Sequence, residues 1–113
     1  MSLRDKVLAK PVAEDTVEID GDSFLIVGKR KRERAAIFAK ARRKDQSLDF
    51  ERLEDVLLAE CVCDPATKTP LLSAAEWSGV DSSLTGPLMS VVMQVCGMDK
   101  TDISPKGSDS TET

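Results

Sequence analysis

Histidine and tyrosine are absent from this chain of 113 residues, and tryptophan occurs once. Without histidine the chain lacks the side chain that titrates unaided near neutral pH, and it lacks the commonest protein metal ligand. Many catalytic classes are excluded at once. The aromatic content of 4% leaves aliphatic side chains to fill the core, which suits packed helices. No run approaches the roughly 18 apolar residues of a membrane-spanning helix, and residues 1–10 are too polar for the core of a signal peptide. Cysteine is scarce and odd in number, and Cys61 and Cys63 fall on one predicted helix, which argues against a disulfide framework. Reduced, half-buried thiols follow from that reading. With Cys96 they make three thiolates, short of the four Cys or His ligands of a structural zinc. These absences predict a protein that is not an enzyme, takes no metal or cofactor, crosses no membrane and stays in the cytoplasm.

What is present is charge, and it is unevenly placed. Between Lys29 and Lys44 lie nine basic residues and one acid, Glu33, a net +8, so the chain's total of −4 leaves −12 for the remainder. Such a bipolar surface allows like molecules to associate head to tail. The densest part, from Lys29 to Arg34, reads first as a solvated helix start, second as a protein-binding patch and third as a nucleic-acid contact. It has no interleaved aromatics, and the rest of the molecule is acidic.

Length bounds the chain to one modest core. Residues 1–15 are polar, contain Pro11 and show no sustained period, which predicts a mobile N-terminal arm. Residues 16–98 form the domain. Val17 and Ile19 alternate with polar neighbours, Asp20-Gly21 follows, and residues 23–27 are β-rich, together a β-hairpin signal. Asp20-Gly21-Asp22 lacks the later oxygen ligands of a calcium loop, and Gly21 and Gly28 belong to no phosphate-binding pattern.

Four helices are predicted after the hairpin. The first spans residues 30–44, with Ala35, Phe38 and Ala41 on one face and Ile37 beside them. The second carries Phe50, Leu53, Leu57 and Cys61 at helical spacing and closes at Asp64-Pro65. Val56, Leu58 and Val62 widen its stripe, which places it at the centre of the core. Ser73-Ala74-Ala75-Glu76 matches a capping box, with Leu72 and Trp77 at the two positions of a hydrophobic staple. The last helix runs from about Ser83 to Cys96, with Pro87 in its first turn and Gly97 as its C-terminal cap. Residues 99–113 are rich in Ser, Thr, Asp and Gly, which predicts a disordered tail. The fold class is therefore α+β, mainly α.

The order of these elements carries a resemblance. The hairpin from Val17 to Ile26, the charged helix opening Arg32-Glu33-Arg34-Ala35, and the run from Leu57 to Asp64 containing Cys61-Val62-Cys63 resemble the tail assembly chaperones of long-tailed bacteriophages and prophages. The likeness extends over about residues 16–97, with Pro87 and the basic run from Lys29 to Arg34 as departures. It implies a protein of the bacterial host's cytoplasm that binds the tape measure protein, keeps it soluble and promotes assembly of the tail tube protein around it. The family commonly makes a longer product by frameshifting, for which the codons of Ser104-Pro105-Lys106 offer a place. Two alternatives stand beside it: a small nucleic-acid-binding or regulatory protein using the basic run, and a structural tail-completion or head-joining subunit. The candidate partner-binding residues are Arg30, Arg32, Arg34 and Trp77, the last read as a staple first and as a contact residue second.

Overall fold

The computed structural model describes residues 2–98. The expected disordered tail and the frameshift site lie outside the described residues. Elements run in the order α1 (Leu3–Ala9), β1 (Glu14–Ile19), β2 (Asp22–Val27), α2 (Lys31–Lys40), α3 (Phe50–Cys61), β3 (Val62–Cys63), α4 (Ala74–Trp77) and α5 (Ser82–Val95). The α+β, mainly α reading is correct.

The hairpin forms for the reason its sequence suggests. Ile19 pairs with Asp22 across a two-residue loop, and both loop residues have positive φ, 53° at Asp20 and 85° at Gly21. That is a type I′ turn, whose twist matches that of the strands and whose second position glycine occupies without a steric penalty. Alternation then sends Val17, Ile19, Phe24 and Ile26 to the core face.

A third strand was not predicted. The second helix does not reach Asp64; it ends at Cys61, and Val62–Cys63 pairs antiparallel with β2, Ile26 against Val62 and Leu25 against Cys63. Without that pairing the inner edge of β2, with Phe24, Leu25 and Ile26 all buried, would hold unsatisfied backbone groups. Asp64 then turns the chain: its carboxylate accepts from the Ala66 N–H at 2.8 Å, and Leu71 returns an N–H to Val62 O at 3.1 Å.

The first predicted helix is also shorter than expected, because local side chains compete with the helix for backbone groups. Asp45 accepts from the Ser47 N–H and hydroxyl at 3.0 and 2.6 Å, and Gln46 sits at φ 72°. Residues 41–49 thus fold into a tight reversal closed by Asp49 N–H to Ala41 O at 2.9 Å. The buried face of α2 is Ile37 and Ala41 with Phe38 half-buried, while Ala35 is exposed.

α3 is the hub, as expected, in contact with α2, α4 and α5. Leu53, Val56, Leu57, Leu58 and Cys61 are all buried along it. α5 lies against α3 and across β1 and β2, bringing Leu88, Met89 and Val92 into the same cluster. Pro87 falls in the second turn rather than the first, since the helix begins at Ser82 with Asp81 as its N-cap. The bond from residue 87 to Ser83 O is lost, and burial of the neighbouring apolar residues holds the helix through it. At the far end Gly97 takes φ 70°, with Met98 N–H to Met93 O at 2.8 Å and Gly97 N–H to Gln94 O at 3.2 Å. This paired arrangement is a Schellman cap, placed where the sequence predicts one.

The ends of β1, β2 and α5 meet at Gly28. Its N–H donates to Ala13 O at 2.7 Å, and a Cβ at this position would lie 3.0 Å from both Ala13 O and Val95 O. Ahead of this junction, within the segment read as a mobile arm, Leu3–Ala9 is helical. Ser2 caps α1 by accepting the Asp5 N–H at 3.2 Å, and no residue of α1 is buried.

Candidate protein-binding surface

Two neighbouring features of the surface are unusual for a molecule of this size. The first is apolar. Leu3, Val7 and Leu8 on α1 are 77%, 64% and 63% exposed, the most exposed large apolar side chains among the described residues. Leu3 and Val7 stand four apart and therefore share a helix face, flanked by Arg4, Lys6 and Lys10. Single exposed apolar residues are ordinary, but three together on a short helix with nothing packed on them make a patch. The sequence reading missed it because seven residues are too few to establish a period.

The second feature is cationic. Arg30, the residue before α2, bridges the two features through its Nη1, which donates to Lys10 O at 3.3 Å. Its own N–H donates to the Glu33 carboxylate at 2.7 Å, so the single acid of the run is spent on capping the helix. Acids of α3 and its N-cap neutralise part of the rest: Glu60 lies 3.8 Å from Lys29 and 3.1 Å from Lys40, and Asp49 lies 3.8 Å from Arg43. Lys31, Arg32 and Arg34 form no ion pair among the described residues. Arg30, Lys31, Arg32, Glu33 and Ala35 line one open depression, and Lys29, Lys31, Arg34, Ala35 and Phe38 line a second. Lys31 and Ala35 border both, so the depressions run on from each other along the exposed side of α2. Apolar Ala35 and Phe38 contribute to their lining beside mostly basic side chains.

Of the four residues singled out from sequence, the structure brings three together on this surface. Arg30 and Arg32 are exposed and Arg34 is half-buried. Trp77 is not among them, and that expectation is corrected: it is 1% exposed, in the core cluster. Ser73 accepts from the Glu76 N–H at 3.2 Å while Glu76 accepts from the Ser73 N–H at 2.9 Å, so the capping box is complete. The box sets α4 so that Trp77 turns inward beside Leu72, the staple arrangement.

The opposite charge gathers elsewhere. Glu51, Glu54 and Asp55 line a cleft of about 210 Å³ with Trp77, Val80 and Thr85. Burial, then the neighbouring Asp55 and Glu51, push the Glu54 carboxyl above its usual range, and burial with Glu51 does the same to Asp55. Among the described residues no group of three metal-ligating side chains is placed to hold an ion, and no helix is long and apolar enough to cross a membrane. Cys63 lies on the outer face of the sheet with Leu25, away from the face that carries Val62 and Ile26. No protein-family model, no curated protein and no solved structure matches the chain.

Proposed function

We propose that this protein is an assembly chaperone of long phage tails, which binds the helical tape measure protein before the tail tube closes around it. The observation that supports the reading most directly is the exposed apolar stripe of Leu3, Val7 and Leu8 set beside cations that form no ion pair among the described residues. A surface of that kind fits an amphipathic helix whose apolar stripe is edged by Asp and Glu. A tape measure protein offers such stripes repeatedly along its length, and many copies bound weakly would cover it and still yield to the tube protein. In this reading the protein acts in the cytoplasm of a bacterial host, and copies on one ruler can associate with each other through the basic side of α2 and the acidic side of α3.

The test is co-expression with the tape measure protein. The reading requires that protein to be soluble with the chaperone and to aggregate without it; equal solubility in both cases refutes the reading. Salt separates this role from nucleic-acid binding at Arg30, Arg32 and Arg34. Phosphate contacts lose orders of magnitude in affinity between low and physiological salt, whereas a contact held chiefly by the apolar stripe keeps most of its affinity.

A further inference from the structure

Cys61 and Cys96 are distant in sequence and adjacent in space. One is the last residue of α3, the other caps α5, and their sulfurs lie 3.8 Å apart. Both are free thiols. We propose that Cys61 and Cys96 are an oxidisable pair, closed to a disulfide by a hydroperoxide and reopened by a dithiol.

Geometry carries the proposal. The sulfurs are already in van der Waals contact, and a disulfide of roughly 2.05 Å requires a further approach of about 1.8 Å. The surroundings give the two thiols different tasks. Cys61 is fully enclosed at 0% exposure, whereas Cys96 keeps an edge of 7%. Contact with Cys96 together with burial raises the Cys61 thiol above its ordinary range. At Cys96 the contact with Cys61, the nearby Lys29 backbone N–H, and the positive potential of Arg34 and the Lys29 ammonium lower the thiol despite burial. The more acidic sulfur is therefore the one a small oxidant reaches, which is the arrangement of an attacking and a resolving thiol.

The chemistry balances in two steps. The Cys96 thiolate attacks one oxygen of hydrogen peroxide, the O–O bond breaks, and hydroxide leaves with a proton from solvent, giving a sulfenic acid and one water. The Cys61 sulfur then attacks the Cys96 sulfur, its proton passing to the departing hydroxyl, which leaves as a second water. Two thiols are oxidised and one peroxide is reduced. The bond fastens the last residue of α3 to the cap of α5, closing a loop of about 35 residues and stabilising the native state by restricting the unfolded chain.

The test uses the full chain. After treatment with hydrogen peroxide, the protein is denatured, its free thiols are alkylated, and its peptides are mapped. The expected result is a single alkylated cysteine, Cys63, a peptide joining Cys61 to Cys96, and full reversal by dithiothreitol. The oxidised form should unfold about 10 °C or more above the reduced form. Three alkylated thiols, a link through Cys63, or Cys96 oxidised to sulfinic acid without a link would each overturn the proposal. The Cys63→Ser variant, which leaves the pair untouched, must give the same cross-link, and failure to do so refutes it as well.

Discussion

Adding one methyl group at Gly28 should be costly, although its backbone is not in a region reserved for glycine. An alanine Cβ there would lie 3.0 Å from Ala13 O, 3.0 Å from Val95 O and 3.2 Å from Val95 Cγ1. Two of these three neighbours are backbone oxygens. One belongs to the residue that accepts the Gly28 N–H at 2.7 Å and the other to the last turn of α5, so neither can swing aside as a side-chain end would. Overpacking of a well-filled site costs about 1–3 kcal/mol, against a gain of about 0.4–1 kcal/mol from stiffening the unfolded chain. The net is a loss of about 1–2 kcal/mol, which for a domain of this size lowers Tm by roughly 5–15 °C. Gly79→Ala is the matched control: its nearest heavy atom would be Glu76 O at 3.7 Å, ordinary contact, so it should leave Tm unchanged or raise it slightly. Thermal unfolding followed by circular dichroism decides. If Gly28→Ala unfolds at or above the wild-type temperature, the three-way junction of β1, β2 and α5 is not packed as described.

Charge relief at Glu54 has the opposite sign. Its carboxyl is raised in the folded state by burial and by Asp55 and Glu51, so it weakens the fold once pH rises through the carboxylate range. Glu54→Gln should raise Tm at pH 7, and the gain should vanish near pH 3; a gain of equal size at both values refutes the cause. On α1, replacing Leu3 and Val7 with Ser should leave Tm within a degree or two, because neither is buried, while weakening the proposed contact with the tape measure protein. With each side chain worth about 1–2 kcal/mol when covered, the pair should cost at least tenfold in affinity by calorimetry, and unchanged affinity places the contact elsewhere. Arg32→Glu should raise Tm by a few degrees, since an acid suits the first turn of a helix by about 0.3–1 kcal/mol and a cation does not. The same change should weaken partner binding, and a gain in both quantities would refute a binding role for the cation.

The parts legible in the sequence are those whose cause is local. Asp20-Gly21 sets its own turn, Ser73 and Glu76 satisfy each other within one turn, Gly97 caps its own helix, and the stripe from Leu53 to Cys61 is long enough to show its period. What escaped depends on something distant. Val62–Cys63 continues the helical pattern in sequence and becomes a strand only because the inner edge of β2 waits for a partner. The short reversal at Asp45 and Ser47 truncates α2, and of its expected face Ala41 is buried and Phe38 half-buried while Ala35 is exposed and the neighbouring Ile37 is buried. The candidate surface was half visible, with Arg30, Arg32 and Arg34 in view and Leu3, Val7 and Leu8 hidden in a segment read as an arm. Trp77 illustrates the limit of residue type as a guide, because a lone tryptophan suits an interface or a staple equally and only its depth separates the two.

The charges of α2 divide into two groups with different physical roles. Lys29, Lys40 and Arg43 face acids of α3 and its N-cap, and Arg42 and Arg43 also bond the carbonyls of Gln46 and Leu48 at 3.0 and 3.2 Å. These fasten the start of α2, its last turn and the reversal after it. Lys31, Arg32 and Arg34 do none of this and crowd the positive end of the helix macrodipole, where each is a small liability to the fold. A cation that burdens its own helix and pairs with no acid among the described residues is best explained by an acid of a partner. The apolar stripe of α1 makes the same argument in apolar terms, since α1 buries nothing and receives little from the body it is attached to. Both features are joined at one point, the bond from Arg30 to Lys10 O, so a single elongated partner lying along α1 and the start of α2 would satisfy them together.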